Sequence, residues 1–538
     1  MTRQHAPYPR GPKPGRLARR ISITLAATVA PFAVGVVALP ASTASAQGTS
    51  YTWTGASTSS ANWSDTANWG GSAPSANSSV GTLTFPDLSS CDSAPSGSCY
   101  TSTDDVSGVS ATGLDLTGGH YSISGDGLSV GSGGITESSP STATFPTSDT
   151  LSLPLALSAA QTWAITGADL NVTGGVTGTN NLTVSLSPGS AGPATLSLSG
   201  TVAPGSFTAS GPTLAAGGFP SNNGTVLLSP GTSLETSGTV SLSNVSLQGS
   251  GTSTNPPSIG AITATDSAVQ VFPAPTSGSS APGSSAPGIL SAASATFDSA
   301  SSLSFEIAGP SSGTTATAGT DNSELTSAGT VTLGGAQVEV NASPQTGSSS
   351  CFVPPVGAVY TLVSASSITG TLSSAGPNGS GSAAIPNGGT VPIGGFDCSP
   401  TNPPDVALQI NYNTSSTPET VTATVVAATT TTVTSQGGGA GSGPVDYGTS
   451  QTYSALVKET STGPAVTTGT VTFRAAAEPT SPAGTYGTPV SLCNATYSSS
   501  AGDWSCQSGN APAGTDQIVA TFTPPTGSTL GGSTGEEE

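Results

Sequence analysis

From residue 79 to about 425 the chain repeats one pattern: a short run of alternating small β-formers, then Gly, Asn, Ser or Asp, then another run. Gly81-Thr-Leu-Thr-Phe85, Ala194-Thr-Leu-Ser-Leu-Ser199, the stretch Gly238 to Leu247, Gly329-Thr-Val-Thr-Leu333 and Gln337-Val-Glu-Val340 are instances. Alternation at period two puts leucine and valine on one face and serine and threonine on the other, the mark of a half-buried strand. Helical periodicity is almost absent. With aromatics at 5%, one methionine and charged residues at 7%, the apolar material is mostly small aliphatic side chains, which suit thin layers rather than a large round interior. The pattern predicts an all-β chain wound in coils, each burying its apolar face against its neighbours. Gly (71) and Pro (43) follow no three-residue period, which excludes a collagen helix.

Charge is confined in a telling way. Arg3, Arg10, Lys13, Arg16, Arg19 and Arg20 precede the first apolar run, and only Lys458 and Arg474 follow it. Residues 1–20 form a basic region, 21 to about 40 an apolar stretch broken by Pro31, and Ala44-Ser45-Ala46 a small-x-small processing site: the pattern of a secretory signal peptide over 1–46. Arg19-Arg20 lacks the strongly apolar follow-on of a twin-arginine signal, so the general export route is expected. The processed chain then has two cations against 28 acids, a formal −26. Phosphate backbones require clustered Lys and Arg, so nucleic-acid binding is excluded, and docking on anionic lipid is disfavoured. No second apolar segment of spanning length is present, so a secreted or cell-surface chain without membrane insertion after signal cleavage is expected.

Six cysteines suit an oxidising compartment. They fall in three sequence-neighbour pairs, and among the fifteen connectivities open to six cysteines the expected one is Cys91–Cys99, Cys351–Cys398 and Cys493–Cys506, each bracketing one loop or hairpin. A metal site is the weaker reading, since no C-x-x-C spacing occurs and His120 is the sole histidine after the signal. No cofactor is expected.

Trp53-Thr-Gly55, Asn62-Trp63-Ser64, Asn68-Trp69, Pro74 and the strand ending at Phe85 resemble the opening of autotransporter-type passenger β-helices. The stretch Leu153 to Ile165 with Leu170-Asn-Val172 is similar to their internal coils, and Thr320 to Val340 with Gly357 to Gly370 resembles the coils that close such stems. The resemblance spans roughly residues 50–410 and implies a right-handed parallel β-helix. One departure is plain: the sequence lacks the amphipathic strands of an outer-membrane barrel, so self-export is not expected. Phe272 to Gly288 reads as a Pro/Gly/Ser-rich protruding loop within a stem over 47–425. From 426 to 530 the texture is similar to a bacterial Ig-like repeat domain: Thr429 to Val433, Gln451 to Val457, Gly469 to Phe473 and Gln517 to Phe522 are strand-like, and Trp504 anchors a Cys493/Cys506 hairpin. Such a module implies a spacer or adhesin role. Residues 531–538 read as a flexible acidic tail.

The enzyme reading has little to stand on. Glycosidases need two suitably spaced carboxylates, for which Asp104-Asp105, Asp115, Asp126, Asp298 and Glu306 are candidates. Lyase chemistry needs a cation to stabilise an enolate, and the stem has neither Lys nor Arg. His120 without a nucleophile beside it reads as a surface residue. Gly131-Ser-Gly133-Gly134 lacks the aspartate of a calcium-binding β-roll. Trp53, Trp63 and Trp69 present flat apolar faces that suit sugar rings, against the more ordinary reading of a hydrophobic cap. The sequence therefore points to a non-catalytic structural or adhesin-like surface protein whose partner is an extracellular protein, a glycan or the cell wall. The alternative is a carbohydrate-binding or carbohydrate-active β-helix protein.

Overall fold

The structure is a computed structural model. It describes residues 48–88, 98–138, 147–189, 193–211, 225–249, 251, 254–272, 287–309, 316–342, 352–375, 382–393, 406–435, 448–459, 463–477, 488–512, 516–525 and 528–537. The expected signal peptide, Cys91, Cys351, Cys398 and most of the Pro/Gly/Ser-rich stretch lie outside the described residues.

The fold is all-β, and most of it consists of parallel sheets coiled as in a β-solenoid. The chain visits three runs of strand in turn. One turn passes through Leu155–Leu157, Gln161–Thr166 and Asp169–Val172, and the next through Val176–Thr177, Asn181–Ser187 and Thr195–Leu198. Each run pairs in parallel with its counterpart one turn later. Turns differ in length because the loops differ, whereas the strands keep register apart from local shifts such as those at Ala111/Gly113 and Leu234/Thr239.

That register stacks like on like. Leu83, Leu114, Ile135, Trp163, Val184, Ala209, Leu242, Ala264 and Phe297 are successive partners on one sheet. None is more than 3% exposed. On the other sheet Leu170, Leu196, Val226, Leu247, Val269, Leu303 and Val338 form a matching ladder. Burial of each such side chain stabilises by roughly 1.5–3 kcal/mol, and because each contacts only adjacent turns, cohesion builds along the stack. Gly134 allows one close approach: its φ is 66°, and a Cβ there would collide with the Thr162 carbonyl of the next turn.

Both ends of the stack are finished differently from its middle. At the start, a 3-10 turn Thr66–Trp69 is capped by Asp65, whose side chain accepts from the Ala67 N–H, and ended by Gly70 at φ 70°. At the far end Val359–Thr369 takes an antiparallel partner, Glu419–Ala427, which pairs in turn with Val406–Asn413. Ser373–Ala375 likewise ends its sheet against antiparallel Ser382–Ala384. An exposed parallel edge is thereby covered, as sheet edges generally need to be.

The last region is a separate antiparallel sheet of seven strands. Its order places Thr429–Ser435 at one edge and Ser533–Glu537 at the other, yet the Thr429 and Thr431 hydroxyls both reach the Ser533 hydroxyl, at 2.8 and 2.7 Å, so the sheet closes on itself. Its own core includes Tyr453, Val471, Phe473, Trp504, Ile518 and Phe522. The expectation of a flexible acidic tail over 531–538 is corrected here. Ser533–Glu537 pairs antiparallel with Asp516–Thr523, because backbone hydrogen bonding does not require apolar side chains. Reciprocal bonds between Ala427 and the Thr529 and Gly531 backbone, at 2.7 and 2.8 Å, join this region to the last stem strand.

Candidate functional site

Two constellations hold the polar and aromatic chemistry of the stem: the tryptophan cap at its start and a buried pair of carboxyl groups a few turns on.

Trp53, Trp63 and Trp69 converge on Phe85, with ring centroids 5.8, 6.2 and 5.8 Å from it. Their exposures are 1%, 0% and 5%. Every indole N–H has a partner: the Cys99 carbonyl at 2.9 Å, the Ser102 hydroxyl at 2.6 Å and the Trp63 carbonyl at 2.9 Å. The rings thus lie inside the first turns, edge to face with one another, and do not present a platform to solvent. Truncation of Trp63 to alanine is expected to cost about 3–5 kcal/mol, read as a lower urea midpoint of the stem.

Cys493 and Cys506 form a disulfide across the antiparallel strands Val490–Ser498 and Asp503–Ser508, as their spacing predicts. Cys99 is also disulfide-bonded.

The sequence-predicted acids scatter. Asp104 is 1% exposed and accepts from the Val106 N–H at 3.0 Å. Burial, with the charges of Asp126 and Asp105 nearby, pushes its carboxyl up to about 6. Asp105 behaves oppositely: partial burial acts to raise it, but two bonds from Ser64, at 2.8 and 2.6 Å, outweigh that and hold it below its usual range. Asp115 lies on the outer face between Thr84 and Thr136, raised by desolvation. Asp126 and His120 are exposed. Asp298 accepts from the Ser301 hydroxyl at 2.6 Å and the Asp266 N–H, which fixes a turn, while Glu306 is buried in Ser302–Ile307 opposite Asn341.

The most perturbed acids are ones the sequence reading passed over. Glu137 occupies an interior position between Leu116 and Ile165 of successive turns, and Asp149 occupies one beside Leu170 on the other sheet. Both are 0% exposed. Their carboxyl groups face each other across the core, near enough for one to donate to the other once protonated, and Asp149 accepts from the Tyr121 N–H at 2.6 Å. Desolvation, then the charge of Asp149 and those of Asp169 and Asp115, pushes Glu137 up to about 11. Asp149 is raised as well, chiefly by burial, against the opposing pull of the bonds from Glu137 and Tyr121 and of the His120 charge. With both ionised, neither Glu137 oxygen has a donor; protonation of Glu137 supplies one. Glu324, 8% exposed, is pushed up to about 7 by burial alone. A signal for the pair was present: in Ile135-Thr-Glu137 and Asp149-Thr-Leu151 the alternation puts each acid on the apolar face.

No family model, curated protein or solved structure matches the chain.

Proposed function

We propose that the chain is a secreted, non-catalytic, adhesin-like surface protein: a right-handed β-helical stalk, akin to autotransporter passengers, that presents an Ig-like module. The observation that carries this reading is the unbroken pair of interior ladders, which gives a stack of turns a mechanical role and leaves its outer faces as contact surface. Support also comes from where the perturbed acids lie. Glu137, Asp149, Asp104 and Glu324 are all buried, whereas a general acid must reach the bond it protonates.

The alternative is glycan binding or turnover, and the tryptophan cap is where it would act. A glycan array probed with the secreted chain and with Trp53→Ala and Trp69→Ala variants tests this, with circular dichroism as the fold control. Binding by the parent, if any, is expected to persist in every variant that keeps its β spectrum. Selective loss of a sugar signal in a folded variant would favour the lectin reading.

A further inference from the structure

The outer face of the strands that carry the Leu83–Phe297 ladder is as ordered as the inner one. Thr162, Thr183, Thr208, Ser241, Thr263 and Thr296 are successive register partners on consecutive turns. Two residues along each strand a second row runs in step, through Ala164, Ser185, Ser210, Ser243 and Thr265. Register shifts fall outside this array, at Leu234/Thr239 and Ala292/Ala295. The result is a two-dimensional lattice of hydroxyls, interrupted only at Ala164, with repeats of about 4.8 Å between turns and about 6.7 Å along a strand.

Three properties of this lattice restrict what fits it. The strands Gln161–Thr166, Asn181–Ser187 and Ser206–Ser210 contain no charged residue, and neither do 239–243, 261–265 or 294–297. No aromatic side chain faces outward among the rows, so there is no sugar-stacking platform. The six hydroxyls of the first row have no hydrogen-bond partner among the described residues, whereas Thr332 and Thr369, which continue the row, bond each other at 3.1 Å. Threonine is stiff at χ1, so its methyl and hydroxyl are held in place before any partner arrives. A neutral surface that repeats in two directions suits a partner that also repeats in two directions, and a face of an ice crystal, an array of uncharged water oxygens, is such a partner.

We propose that this threonine-serine face binds ice, its hydroxyls and methyls ordering water into the lattice of the crystal. The inference needs only the parallel register and does not depend on the terminal module being Ig-like. The test uses the secreted chain, fluorescently labelled, in two assays: uptake into a growing ice hemisphere and inhibition of ice recrystallisation. The parent is expected to enter the ice and to slow recrystallisation. Thr208→Tyr/Thr263→Tyr, which breaks the array at its centre, is expected to weaken both by about tenfold or more. Ser197→Tyr, on the other sheet, is expected to leave both unchanged, and melting curves check that all three fold. Exclusion of the parent from ice, or equal activity in the folded double variant, overturns the proposal. So does a parent that binds no ice but sediments as a dimer lost in the double variant, since the face would then be a contact between copies.

Discussion

Stability of the stem is expected to fall as pH rises from about 4.5 through neutrality, the reverse of most proteins in that range. Glu137 is held well above its ordinary value of 4.5, up to about 11, by burial and by Asp149. Below 4.5 folded and unfolded chains are both protonated there, and the stabilisation is complete. Above it the unfolded chain releases the proton while the folded one retains it, so each further pH unit costs up to about 1.4 kcal/mol until the folded group itself titrates. Asp104 adds to the slope between 3.8 and about 6, and Glu324 between 4.5 and about 7. Asp115 and Asp169, raised by desolvation beside the pair, act in the same direction. Thermal melts at about pH 4, 6 and 8 are expected to give midpoints that decline stepwise. Replacing both partners, Glu137→Leu/Asp149→Asn, removes both titrating groups while leaving the Tyr121 N–H an acceptor, and is expected to raise the midpoint at neutral pH and to flatten the slope. Melting midpoints that rise with pH, or a double variant with an unchanged slope, would contradict the assignment.

Trp163→Ala is expected to be the most damaging single truncation in the middle of the stem, at about 3–5 kcal/mol, while Thr162→Ala next to it changes stability by no more than about 0.5 kcal/mol. Trp163 is fully buried between Ile135 and Val184 of the adjoining turns, and its indole N–H donates to the Gln161 side-chain oxygen at 3.0 Å. The Gln161 amide in turn donates to the Val130 carbonyl at 2.9 Å, so truncation opens a cavity and leaves one member of a buried relay unpaired. Thr162 points the other way. Urea unfolding of the two variants therefore reads the register directly, and comparable losses from both would mean that the strand does not have one buried face.

Much of this architecture is legible in the sequence because period-two alternation is a local property. Runs such as Asn181-Leu-Thr-Val-Ser-Leu-Ser187 declare which side chains turn inward without reference to any partner. What alternation does not specify is which runs meet. Leu114 pairs with Ile135 after 21 residues and Leu242 with Ala209 before it across 33, since loops of any length can leave and rejoin a stack whose strands stay aligned. The acid pair was hidden for a different reason: the residue type argued for solvent while the position argued for the core. Asp104 and Asp105 are neighbours in the chain, whereas Glu137 and Asp149, on strands of two different sheets, face each other only once those sheets close on the core. Ser533–Glu537 is a further case, with no apolar alternation to mark it and its place fixed by the backbone ladder and by the Thr431–Ser533 contact.

Narrow ladders of small aliphatic side chains, not a spherical interior, hold the stem together. Small-angle X-ray scattering of residues 47–538 decides the point. A globule of about 490 residues has a radius of gyration near 23 Å. A stack of turns is expected to give a value well above that, with a distance distribution skewed toward a long tail and a narrow cross-section. A symmetric distribution with the globular radius would contradict it.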